Sequence, residues 1–117
     1  MVYLGMAYEV KLLPPAAEFL DALSDLLRAK AVRSIVLLRE LGPLIREPYA
    51  KKVAGWKGLF ELRVALGGNT CRFFYFWHGS RMVIVTSGYM KKDMKLEHKE
   101  LKRATAIMNE YQASGGE

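Results

Sequence analysis

Apolar and polar residues alternate over Tyr8-Glu9-Val10-Lys11-Leu12, which predicts a strand. Pro14-Pro15 ends it and suits the start of a helix. Phe19, Leu20, Leu23, Leu26 and Leu27 then recur at helical spacing and predict a helix near 16–30. Ile35, Leu38 and Leu41 predict a second helix, stopped by Gly42-Pro43. The short gap between them predicts an antiparallel helical hairpin. These stripes read as core and not as a cofactor box. Residues 44–57 are mixed and basic, a loop or an irregular lead-in to a strand. Three strands follow near 58–66, 70–78 and 81–89, separated by Gly67-Gly68 and His78-Gly79-Ser80, turns short enough for antiparallel hairpins. A last helix is expected over about 94–112 with Asp93 as N-cap, and residues 113–117 as a frayed tail. The expected fold is α+β, in the order βααβββα: an antiparallel meander sheet with an N-terminal helical hairpin and a C-terminal helix.

At 117 residues the chain reads as one domain, long enough to bury a core without staples. Half of it is apolar, which suits a globular rather than a disordered chain. The single cysteine, Cys71, excludes an intrachain disulfide. With no histidines clustered beside it, a structural zinc site is not expected. Both features suit a reducing cytoplasm. Residues 1–8 lack a positive leader, and Glu9 and Lys11 interrupt the apolar run, so neither a targeting segment nor a membrane span is expected. Met6 offers an alternative start.

Charge changes the picture. The net charge is +6, but residues 1–45 carry five basic against five acidic side chains, whereas 46–95 carry ten against three. A neutral front and a basic middle point to an anion-binding surface, with nucleic acid the leading partner. The alternative is a solvated basic face kept for solubility.

The first hairpin sharpens this. With Gly67-Gly68 as the two central turn residues, Leu66 faces Asn69 and Arg63 faces Arg72. Alternation puts Phe60, Leu62 and Val64 on one face with Phe73 and Tyr75, and Glu61, Arg63 and Arg72 on the other. Two arginines directly opposite each other repel. The pair makes sense if a phosphate, taking bidentate hydrogen bonds, sits between them. The other reading is that Glu61 neutralises them as a structural network. Lys91, Lys92 and Lys95 add cations at the end of the last strand and the start of the last helix. His78 falls in a turn at the opposite end of the sheet and reads as a turn residue; His98, in the first turns of the last helix near Lys95, reads as a surface histidine, the alternative being one that reaches the site.

Three runs together carry a resemblance. Gly58-Leu59-Phe60-Glu61-Leu62-Arg63-Val64, Cys71-Arg72-Phe73-Phe74-Tyr75-Phe76 and Gly88-Tyr89-Met90-Lys91-Lys92, with Lys95 beyond, resemble motifs of the RelE/HigB toxin superfamily in its phage-derived HigB-like branch. Glu18-Phe19-Leu20, Leu41-Gly42-Pro43 and Glu47-Pro48-Tyr49-Ala50-Lys51-Lys52 are similar to it as well, so the resemblance spans about residues 8–111. The chain departs from the pattern where Asp93-Met94-Lys95-Leu96-Glu97 replaces a segment with Thr and Thr-Pro.

The resemblance implies a RelE-like fold and the toxin of a type II toxin–antitoxin system, held inactive by a separate antitoxin protein. Such toxins cleave mRNA on the ribosome and so stop translation, with no cofactor and no metal. The implied reaction is attack of a ribose 2′-OH on the adjacent phosphate. It needs a base, a cation for the phosphorane and an acid for the leaving oxygen. Arg63 and Arg72 are the candidates for the phosphorane, and Lys91 or Lys92 for proton donor or further cation. A lysine base would need its pKa lowered by neighbouring cations. Glu61 is a weaker candidate base, as easily a partner that orients Arg63. Lys51, Lys52, Lys57 and Lys95 are expected to contact RNA phosphates, and Tyr49, Trp56 and Tyr89 to stack on bases or serve packing. Two rival readings share the fold: a ParE-like inhibitor of DNA gyrase, and an inactive scaffold that only binds an antitoxin.

Overall fold

The computed structural model describes residues 8–116. The expectations for residues 1–7 lie outside it. The first alternating stretch is strand β1, Glu9–Leu12. Leu13 stays extended, and Pro14-Pro15 open helix α1, Pro14–Ala22, where a missing N–H is tolerated. The apolar stripe then runs on, but the helix does not. Leu23 and Ser24 are both extended, and α2 spans Asp25–Leu41. The break expected after residue 30 therefore lies at Leu23–Ser24. Arg28 explains it: its guanidinium donates to the Asp21 and Leu23 carbonyl oxygens at 3.2 and 2.9 Å and pairs with Asp25 at 2.6 Å. That satisfies carbonyls freed where α1 ends.

A 3₁₀ turn, Gly42–Leu44, follows, and then a short strand β2, Ala50–Lys52, inside the stretch expected as loop or lead-in. Strands β3 (Phe60–Leu66), β4 (Asn69–His78) and β5 (Met82–Met90) form the expected meander. Helix α3 covers Met94–Ala113, and Asp93 caps it by accepting from the Leu96 N–H at 2.8 Å. At its far end the Gly116 N–H donates to the Tyr111 carbonyl oxygen at 3.0 Å. The sheet order is β1-β5-β4-β3-β2, with β1 parallel to β5 and every other pair antiparallel. The domain is thus α+β in the order βααβββα, with β2 added at one edge.

The β3–β4 register is the one the Gly67-Gly68 turn dictates: Leu66 pairs with Asn69 and Arg63 with Arg72. Gly67 has φ +60°, which a two-residue hairpin turn requires. One sheet face packs Leu62, Val64, Phe73 and Val85 against Ala16, Leu27, Ala31 and Leu38 of the first two helices. The other packs Phe74, Phe76 and Ile84 against Leu101, Ala104 and Met108 of α3. Gly88 on β5 lets α1 close down: a Cβ there would overlap the Phe19 ring. A register shift at Phe74/Tyr75 leaves Thr86 as the extra residue in β5, its hydroxyl donating to the Phe74 carbonyl oxygen. Among the described residues no helix is long and apolar enough to cross a membrane.

Candidate active site

Period-two alternation drives Glu61 of β3 to the α3 side of the sheet, where it is 1% exposed. A carboxylate cannot stay ionised at that depth without partners. It finds three cations. The Arg63 Nε donates to Oε1 at 2.9 Å, the Arg72 Nη1 to Oε2 at 3.4 Å, and Lys51 Nζ lies 3.9 Å from Oε1. Arg72, itself 6% exposed, also reaches Glu97 in the first turn of α3 at 3.3 Å. The two arginines therefore do not confront each other bare. The repulsion expected of the pair is relieved by a buried carboxylate, with three cations against two carboxylates in the cluster.

Arg63 is less enclosed, its side chain 27% exposed. It spends only Nε on Glu61, and its terminal nitrogens make no hydrogen bond to the described residues. Its backbone N–H donates to the Tyr49 carbonyl oxygen at 2.8 Å, which docks the 46–49 loop beside it. Arg63, Arg72, Lys91 and Tyr49 line one cleft of about 390 Å³, together with Lys30, Ser34 and Thr70. Lys30 and Ser34 were not foreseen. They come from α2, whose register over β3 brings them across, and the Lys30 ammonium also donates to the Ala65 carbonyl oxygen.

Tyr89 lies opposite Arg72 on β5 but inside the fold: it is 4% exposed, and its ring stacks on Phe74 at 5.5 Å between centroids. A base-stacking platform does not fit that placement. Its hydroxyl is buried without a hydrogen bond of good geometry. Burial pushes the phenol up from its ordinary value; Glu97 adds to this and Arg72 opposes it.

The other expected residues spread around this cluster. Lys92 and Lys95 are exposed where β5 passes into α3. Lys52 lines a separate groove with Phe60 and Trp77. Trp56 packs edge-on against His98 at 5.5 Å, and with Lys57 it lines a third cavity. His78 packs edge-on against Tyr111, far from the arginines. Among the described residues no group of three or more His, Cys, Asp and Glu is placed to hold a metal ion. The cleft can therefore offer an anion a forked guanidinium, a second guanidinium pinned from behind and an ammonium from Lys91.

Residues 18–109 match the family described as phage derived protein Gp49-like. The chain belongs to the Gp49-like family. Its fold is that of RelE. The E. coli toxin RelE, a mutant in the free state, superposes with TM-score 0.62 at 21% identity, over 84% of this chain and 98% of that one. A chain of the archaeal RelE–RelB complex from Pyrococcus horikoshii OT3 gives TM-score 0.52 at 21% identity, over 73% of this chain and 96% of that one. The intact E. coli RelBE toxin–antitoxin complex gives 0.56 at 18%, over 74% and 100%. Among curated protein sequences, none matches this Gp49-like chain.

Proposed function

We propose that this Gp49-like protein is the toxin of a type II toxin–antitoxin pair: a cytoplasmic, metal-independent endoribonuclease that cleaves mRNA on the ribosome and inhibits translation. The observation that carries the reading is the Arg63/Arg72 rung, clamped by buried Glu61 at the wall of a cleft that also holds Lys91. The structural relatives support it, being toxins or toxin–antitoxin complexes. A separate antitoxin is the expected partner.

The phosphate beside the attacking 2′-OH sits against the free nitrogens of Arg63. Charge developing on the phosphorane meets guanidiniums already fixed in place, so little reorganisation is needed. Lys91, and Lys92 next to it, supply the further cation or the proton for the leaving oxygen. Ribosomal positioning supplies orientation that a chain of this size lacks, and proximity contributes on the order of 7–11 kcal/mol.

The test is single-turnover cleavage on programmed ribosomes and on free RNA, with and without a chelator, alongside thermal melts. Arg63→Ala should cut about 100- to 1,000-fold more slowly while staying folded, and Arg63→Lys should also fail, because an ammonium lacks the planar fork. Arg81→Ala, near the Tyr8 ring at the other end of the sheet, should cut normally. A folded Arg63→Ala that cuts at the wild-type rate refutes the site. A second reading, an antitoxin-binding scaffold without cleavage, is favoured by Glu97, whose carboxylate already occupies Arg72. A wild-type protein that binds its antitoxin and cuts no message decides for it.

A further inference from the structure

Trp56 and Lys57 do not line the arginine cleft. They line a cavity of about 550 Å³ between the 55–58 turn and one flank of α3. The helix wall is Thr105, Met108, Asn109 and Gln112, and Phe76 and Trp77 come from the sheet. Residues 105, 109 and 112 follow one side of the helix at i, i+4, i+7. Met108, beside them, also packs near Gly58.

Three features of this cavity point to a ligand. The Thr105 hydroxyl is buried and has no hydrogen-bond partner among the described residues. Asn109 and Gln112 are exposed, and their amides form no hydrogen bond to the described residues. The lining holds one cation, Lys57, and no carboxylate. Flat aromatic walls, amides offering both donors and acceptors, and a single cation suit a nucleobase and its phosphate. The size lies within the range of small-ligand sites. An acidic peptide would find one charge to meet and amides it does not need.

We propose that this cavity is a nucleobase subsite for single-stranded RNA, taking a nucleotide farther along the strand than the one in the arginine cleft. The two are linked through α3: Trp56 packs on His98, the residue after Glu97, and Glu97 holds Arg72. The identity of the strand rests on the ribonuclease reading; the capacity to bind a base does not.

Both tryptophans of the chain, Trp56 and Trp77, line this cavity, so its occupancy is readable by intrinsic fluorescence. The full chain is titrated with a 2′-O-methyl RNA hexanucleotide, whose blocked hydroxyl prevents cleavage. Saturable quenching of tryptophan emission is expected. The double variant Asn109→Ala/Gln112→Ala, at two exposed helix positions where alanine is well tolerated, should bind about tenfold or more weakly. Arg63→Ala should keep the quenching while losing cleavage, so failure of the subsite and failure of the nuclease reading are told apart. An unchanged emission overturns the proposal. So does equal quenching by inorganic polyphosphate, which would mean that charge alone is sensed, and so does a double variant that binds like wild type. Emission that shifts with the antitoxin and not with the oligonucleotide makes the cavity a protein-docking groove and overturns the RNA assignment.

Discussion

Leu62 pairs with Phe73, and one residue along the same two strands Arg63 pairs with Arg72. The backbone is the same, yet one rung is sealed at 0% exposure under two helices and the other opens onto a cleft. The difference lies in what covers each face. On the helical-hairpin side the rung meets only apolar side chains, and burial alone holds it. On the α3 side the apolar packing is built on Phe74, Phe76 and Ile84, and Arg72 pairs with the carboxylate of Glu97 in the first turn of the helix. Charge is tolerated there because Glu61 is enclosed with it. A sheet can thus be sealed and open at adjacent positions, with the sealed rung fixing the geometry of the open one.

The largest expected effect breaks the sealed rung. Phe73→Ala removes a ring with no exposure that meets Phe19 edge-on at 5.4 Å, and should cost about 3–5 kcal/mol in chemical denaturation. A loss below about 1 kcal/mol would mean that the helices do not clamp this face. Next comes the centre of the open rung. Glu61→Ala leaves Arg72 enclosed with only Glu97 and should cost about 3 kcal/mol by the same measurement, with cleavage lost as well. If its stability matched wild type, the carboxylate would not be what makes the paired arginines tolerable.

Arg72→Ala is a finer probe. Relief of a like-charge pair would stabilise the protein. The structure instead predicts a loss of about 1–3 kcal/mol in thermal melts, because a buried carboxylate loses one of its donors. Arg63→Ala removes a donor at 2.9 Å from the same buried carboxylate, but from a side chain that is partly solvated, and should cost about 1 kcal/mol, less than Arg72→Ala. A variant at Arg63 that melts as badly as one at Arg72 would erase the distinction between the enclosed arginine and the partly solvated one.

How far this was legible differs by residue. The Arg63–Arg72 pairing was readable because a two-residue glycine turn fixes register by counting. Glu61 was readable as the carboxylate that neutralises both arginines, but as part of a surface network and not as a buried group, since alternation reports the face and not the depth. Glu97 was beyond reach: its contact with Arg72 depends on how α3 leaves β5. The helix break at Leu23–Ser24 was hidden because it leaves the apolar stripe intact. Lys30 and Ser34 entered the cleft only when α2 was laid over β3. For Tyr89, open between stacking on bases and packing, the contact with Phe74 decides for packing, and no local pattern announces that contact.

The smallest effect is set by pH and belongs to the sealed side. Burial raises the Cys71 thiol from 9.0 to about 11 and the Tyr75 phenol from 10.0 to about 12. Both groups are neutral in the fold, so their contribution is complete below pH 9. It is lost as pH rises, first through the range of Cys71 and then through that of Tyr75. Melting temperature should therefore be insensitive to either group near neutrality and fall from pH 9 upward. Cys71→Ala should flatten the early part of that fall; an unchanged profile would remove the thiol from the sealed face.

The parallel pairing of β1 with β5 has a consequence for timing. Glu9 hydrogen-bonds beside Met82, so β1 waits for β5, some seventy residues later, before it has a partner. On a translating ribosome the meander cannot be flanked on that side until Val85 has emerged, and helix α3, which carries Glu97, emerges later still. The arginine cleft is therefore completed only after α3 has followed β5 out. Until α3 has packed, the chain carries the cations of the cleft without the carboxylate of Glu97 that fixes one of them.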